Sequence, residues 1–358
     1  MKKILSLLLT SLLMFTLIGC NGGNSEGAQG ASYELALITD TATIDDKSFN
    51  QGAWEGLEKY AVENNITHKF YDPAEKTTQA YLEAISLAVE GGAKLVVCPG
   101  YLFSEAVYEA QDMYPDTNFI LLDSTPLSPQ GEEKVNDNTY AVYYAEEQAG
   151  FLAGYAAVKD GNKKLGFMGG IALPAVVRFG YGFAQGAEYA AKEMGISDLE
   201  LKYHYTGNFD ATPETQATAA AWYQSGTEVI FACGGAVGNS VMAAAQDVSG
   251  KVIGVDVDQS NESDTVITSA IKNLSGSVYD GITEFYNGSF PGGEVLTLDA
   301  SVNGIGLPME TSKFNSFTQE DYEAIYNKIK DGKININKDN ETAITDLNID
   351  NIKIEVVQ

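Results

Sequence analysis

The chain has 358 residues and a formal net charge of −27, from 22 Lys and Arg against 49 Asp and Glu. That balance speaks against a nucleic-acid partner and against docking of the protein surface on anionic lipid, both of which need clustered positive charge. Three cysteines, two histidines and no Cys-x-x-Cys lack the ligand spacing of a zinc site.

At the start, Lys2 and Lys3 precede an apolar run from Ile4 to Ile18, broken only by Ser and Thr. The run is short for a stable membrane span and fits the apolar region of a secretory signal. It ends in Leu17-Ile18-Gly19-Cys20, which resembles the bacterial lipobox. Residues 1–19 are then a signal peptide, and Cys20 takes the lipid and anchors the chain on the extracytoplasmic face. The plainer alternative is an ordinary signal that happens to contain a cysteine. Residues 20–32, rich in Gly, Asn and Ser, have almost nothing to bury and read as a flexible tether.

From there, short β-rich runs alternate with helical segments. A strand at 34–38 leads to a helix from Ser48 to Asn64, with Trp54, Leu57 and Val62 near helical spacing. A strand at 68–71, a helix at 77–90, a strand at 94–98, a helix at 104–113 and a strand at 118–122 follow. After a break near Tyr140 the pattern resumes: helix 146–158, strand 164–168, helix 179–194, strand 200–205, helix 213–224, strand 228–233, helix 240–247 and strand 251–257. Such alternation predicts an α/β fold of two similar Rossmann-like lobes, each a parallel sheet covered by helices. The lobes are expected at 33–142 plus about 262–300, and at 143–261 plus about 301–358. Cys98 and Cys233 end apolar runs in different lobes and read as two separate buried thiols.

Parallel sheets place ligands at the carboxyl ends of their strands. Those ends carry Thr39-Asp40, Pro99-Gly100, Asp123-Ser124, Gly169-Gly170, Gly234-Gly235 and Asp256, a set that suits a cleft and also suits ordinary turns. No Walker motif occurs. Gly180, Gly182 and Gly186 miss the dinucleotide spacing by one residue and read as helix packing.

The segment Thr39-Asp40-Thr41-Ala42-Thr43-Ile44-Asp45-Asp46-Lys47-Ser48-Phe49-Asn50-Gln51 with Ala53-Trp54-Glu55-Gly56 resembles the opening motif of the basic membrane protein family. These are substrate-binding lipoproteins of ABC transporters, related to the purine nucleoside receptor of spirochaetes. Val176 to Phe183, Gly207-Asn208-Phe209-Asp210, Val252 to Gln259, and Thr268-Ser269 with Lys272 agree in order along nearly the whole mature chain. Thr41-Ala42-Thr43 stands where family members commonly carry glycines. The resemblance implies a type I periplasmic-binding fold, with two lobes joined by three hinge crossovers. It implies a nucleoside ligand, purine favoured, handed to a permease by a monomer that needs no cofactor.

In that family the base lies between aromatic rings, and the ribose is held by an Asp and a Lys. Phe49 and Phe179 are the expected rings, with Phe209 as a further wall and Phe183 as the better core residue. Asp40 and Asn50 are expected on the base edge. Asp256 is expected on the ribose diol in preference to Asp258, with Lys272 donating beside it. Asp123 and Gly235 are secondary candidates. Asp45, Asp46 and Lys47 read as loop solvation. Each candidate also has a plain structural reading: core packing for Phe179, a helix-start contact for Asn50, a cap for Asp40, a solvated helix lysine for Lys272. An enzyme acting on nucleosides lacks a credible acid–base pair, metal cluster or phosphate cradle. A regulator's sensory module lacks its DNA-binding segment, while a sugar or signalling ligand on the same scaffold stays open.

Overall fold

The computed structural model describes residues 32–338, 343–347 and 349–357; Cys20 and the signal and tether lie outside them. The first series runs β1 (Leu35–Ile38), α1 (Phe49–Asn64), β2 (His68–Tyr71), α2 (Thr78–Glu90), β3 (Leu95–Pro99), α3 (Ser104–Met113), β4 (Asn118–Leu122) and β5 (Thr139–Tyr144). The second runs α4 (Glu146–Lys159), β6 (Lys164–Gly169), α5 (Pro174–Met194), β7 (Leu199–Tyr205), α6 (Pro213–Gln224), β8 (Val229–Cys233), α7 (Val237–Val248), β9 (Lys251–Asp256) and β10 (Val266–Lys272). The chain closes with α8 (Leu274–Asn287), β11 (Val295–Leu298), β12 (Ile305–Gly306), α9 (Gln319–Lys330) and β13 (Ile352–Val356).

Two sheets result. The first has the order β11-β5-β4-β3-β1-β2, and the second β12-β10-β9-β8-β6-β7-β13. Among the described residues, every pairing between these strands is parallel except β12 on β10. Strands such as Leu95–Pro99 and Val229–Cys233 are buried along their whole length, as strands covered on both faces must be. The chain passes between the sheets three times: after Tyr144, after Lys272 and after Leu298. Cys98 and Cys233 are free, buried and in different sheets.

Local chemistry explains most boundaries. Thr77 caps α2 by accepting from the Ala80 amide, Thr212 caps α6 from Thr215, and Thr318 with Asp321 forms a capping box on α9. The helix pair α4 and α5 packs backbone to backbone. A Cβ at Gly150, Gly154, Gly182 or Gly186 would overlap the carbonyl of Phe179, Phe183, Glu147 or Phe151 respectively. Gly182 and Gly186 of α5 are therefore helix-packing residues, whereas a Cβ at Gly180 would meet the Tyr203 side chain of β7.

Five expectations are corrected. The break near Tyr140 is strand β5, whose Thr and Tyr residues pair with β4 and β11. Helix α5 starts at Pro174, not at Phe179, because Pro at the first helical position supplies φ without needing its missing N–H. The lobe boundary near 262 moves to about 273: β10 pairs with β9 from Val266 to Ile271 and belongs to the second sheet, while α8 beyond it packs on α1. Likewise the first lobe runs through Tyr144 and not to 142. Val62 is 65% exposed, and α1 instead buries Ala53, Trp54, Leu57, Tyr60 and Ala61.

Candidate functional site

The strand ends of both sheets face one cleft. All nine sequence candidates line it: Asp40, Phe49, Asn50, Asp123, Phe179, Phe209, Gly235, Asp256 and Lys272.

Lys272, the last residue of β10, organises the floor. It is 5% exposed and is no solvated helix lysine. Its ammonium lies 2.6 Å from Asp123 Oδ2, 3.3 Å from Glu146 Oε1 and 3.9 Å from Asp256 Oδ1. It also lies 4.7 Å from the Phe49 ring centroid and 5.3 Å from that of Phe179. The centroids of the two rings are therefore no more than about 10 Å apart. Burial works against the Lys272 charge, but the three carboxylates outweigh it and raise its pKa.

Asp123 follows β4 and Asp256 ends β9, and both hold positive φ, 60° and 68°. Left-handed backbone at non-glycine residues clusters at functional sites, and here it turns two carboxylates into the cleft at matching strand ends. Asp256 Oδ2 accepts from Ser48 Oγ of the opposite lobe at 2.5 Å. Burial pushes the Asp256 pKa up to about 6 against the pull of Lys272 and Ser48. Asp258, by contrast, is exposed and taken up by Thr311 and the Ser260 amide. Asp123 Oδ1 and Thr41 Oγ1 are buried without a hydrogen-bond partner.

At the other end Asn50 is already occupied. Its amide nitrogen donates to Asp40 and Asp46 at 2.9 Å each, and its oxygen accepts from the Asp40 amide at 3.3 Å. Asn50 orients Asp40, and its NH₂ is not free for a ligand. Burial raises the Asp40 pKa against the Asn50 hydrogen bond. Asp46 is not loop solvation. It is buried and accepts from the amides of Ser48, Asn50 and Gln51, so it serves the N-terminus of α1 that Ser48 leaves uncapped.

Phe49, the first residue of α1, is half-buried, whereas Phe179, in the second turn of α5, is 2% exposed and packs edge-on to Phe231 at 5.9 Å. Gly234 and Gly235, at φ 143° and 51°, clear room for the Phe209 ring and backbone. Tyr101, Leu173, Val176 and Cys233 complete the walls.

Sequence reasoning missed Glu146 and Arg178. Glu146 opens α4 fully buried, with Arg178 Nε 3.2 Å from its Oε2 and Lys272 on its Oε1. Burial pushes its pKa up to about 7 against both cations. A carboxylate in the first turn of a helix was the available signal, and it is a weak one. Among the described residues no group of three or more His, Cys, Asp or Glu is placed to hold a metal ion, and no helix is long and apolar enough to cross a membrane.

A protein of Lactococcus lactis subsp. cremoris named an ABC transporter nucleoside-binding protein is 30% identical, over 89% of this chain and 94% of its own. Basic membrane protein D of Borreliella burgdorferi is 28% identical over 88% and 89%. The crystal structure of an ABC transporter solute-binding protein from Aeropyrum pernix superposes with a TM-score of 0.73 at 24% identity, over 86% and 95%, a likeness of fold. The sequence model of the Bmp family, described as ABC transporter substrate-binding proteins that are PnrA-like, matches residues 33–340. This chain therefore belongs to the Bmp family of ABC transporter substrate-binding proteins.

Proposed function

We propose that this protein captures a nucleoside, purine favoured, in the cleft between its lobes and hands it to an ABC permease without chemical change, while a lipid on Cys20 holds it at the membrane. One observation carries the reading: two phenylalanine rings from different lobes flank a buried ammonium set among three carboxylates. A nucleoside has the matching halves. Its base offers a flat face to rings, and its ribose offers a vicinal diol to Asp256 and Lys272. Asp123 Oδ1, buried and unpartnered, supplies a further acceptor. Asp40, fixed by Asn50, faces the base edge.

Because Phe49, Asp40 and Asp123 come from one lobe and Phe179, Asp256 and Lys272 from the other, the site is complete only when the lobes meet. Such an arrangement couples ligand capture to closure, the form a permease can recognise. The relative named for nucleoside binding supports the ligand class.

Calorimetry with a nucleoside, its free base and ribose tests the reading. The nucleoside should bind well, the base worse and ribose hardly at all. Ribose or another sugar binding more tightly than every nucleoside refutes the ligand. Incubation with nucleoside should release no free base. For the anchor, Cys20→Ser should release soluble protein that still binds; a variant that stays on the membrane with normal transport refutes the lipid.

A further inference from the structure

Five charged groups are packed into the floor of the cleft: Asp123, Glu146 and Asp256 against Lys272 and Arg178. Both cations are committed, Lys272 to all three carboxylates and Arg178 to Glu146. The count leaves one buried negative charge without a counter-charge. An isolated buried carboxylate is costly, so the cluster relieves itself by holding a proton.

The neighbours do not supply the missing positive charge. From the loop before α1 come Asp40 and Asp46, both acidic, and Ser48, which gives Asp256 only a hydroxyl. From α4 comes Glu147, a further buried carboxylate, which feels Arg178, Lys338 and Asp299. From β5, Tyr144 lies 5.3 Å from the Lys272 ammonium and Tyr143 lies under Arg178, and β8 brings the neutral thiol of Cys233.

We propose that ligand capture in this cleft is linked to proton release: Glu146 and Asp256, which share the Lys272 ammonium, carry one proton between them when the cleft is empty, and hydroxyl donors of the ligand displace it. The inference rests on the nucleoside reading above, since it needs a ligand whose hydroxyls donate to Asp256 and Asp123. Glu146 acts from behind, as a positioning residue. It does not line the cavity, but it sets the odd charge and holds Lys272 against the ligand-facing pair.

The raised positions of Glu146, about 7, and Asp256, about 6, agree with a proton that belongs to the cluster and not to one residue. The ligand favours the ionised form, so binding weakens as pH falls through that range. For one linked proton the dissociation constant should rise about 10-fold between pH 7.5 and pH 5.5.

The test is calorimetry of the full folded chain with adenosine and inosine, at pH 6.5, in buffers of different ionisation enthalpy, and across pH 5.5–8. Wild type should release about half a proton per nucleoside at pH 6.5. Glu146→Gln removes the odd charge and should flatten the pH dependence to less than about 2-fold, with little proton release. Heats independent of buffer together with a flat affinity profile in wild type, or proton uptake, overturn the proposal while leaving nucleoside binding intact. Absence of binding by any nucleoside at any pH overturns the functional reading and this proposal together. The wild-type measurements decide the matter even if Glu146→Gln does not fold.

Discussion

Lys272→Met keeps the length and bulk of the side chain and deletes its charge, leaving Asp123, Glu146 and Asp256 buried with Arg178 as their one cation. Removing one partner of a buried ionic cluster costs about 3–5 kcal/mol, because the surviving charges have lost both water and counter-ion. Denaturant unfolding at pH 7.5 should therefore show an unfolding free energy lowered by that amount, seen as a lower midpoint at unchanged slope. The sign of the pH response follows from the raised carboxylates. Glu146 and Asp256 already sit at about 7 and about 6. Without Lys272 they rise further. Stability tied to a carboxylate with a raised native pKa is fully present below its unfolded value and lost as pH rises through the native one. The variant should thus bind more protons than wild type between pH 7.5 and 5.5, and one extra proton across two pH units recovers about 2.7 kcal/mol. The deficit should narrow to roughly half or less at pH 5.5. A midpoint equal to wild type at pH 7.5, or a deficit that widens on acidification, refutes the account of Lys272 as the counter-ion of the floor.

The two rings should separate by assay. Phe49→Ala, at a half-buried position, should weaken nucleoside binding about 10- to 100-fold in calorimetry with little change in stability. Phe179→Ala should lose affinity and also about 3–5 kcal/mol of stability, because its ring packs on Phe231. Burial raises the pKa of both cysteine thiols, so native protein lacking Cys20 should give no fast reaction with a thiol reagent at pH 8 and two thiols after denaturation; a Cys98–Cys233 disulfide contradicts the two-sheet assignment. Gly154→Ala puts a methyl group against the Phe183 carbonyl and should cost about 1–3 kcal/mol in the same unfolding assay, whereas no change would mean that α4 and α5 tolerate separation.

What could be read in advance divides along a physical line. Continuous apolar runs such as Leu95–Cys98 and Val229–Cys233 announce buried parallel strands locally, and Thr77, Thr212 and Pro213 announce helix starts locally. Sheet membership is not local. Whether β10 joins the first or the second sheet depends on its register with β9, and the chain beyond it does return to the first lobe, so a boundary placed at 262 errs by one strand. Strand β5 was obscured because its Thr and Tyr residues pair with β4 and with the distant β11. The same division runs through the site. Asp40, Phe49, Asn50, Asp256 and Lys272 sit in motifs that a reader can quote, and all five line the cleft. Their relations cannot be quoted. Asn50 reads as a free amide and proves to be the clamp on Asp40 and Asp46, since two carboxylates converge on its nitrogen. Asp46 reads as a solvated loop acid and proves to cap α1, since three amides turn toward it. Glu146 stands at the head of a helix with nothing beside it in sequence to mark it, and only when β10 and β4 bring Lys272 and Asp123 to the same point does it become the charge that leaves the floor of the cleft one proton short of neutral.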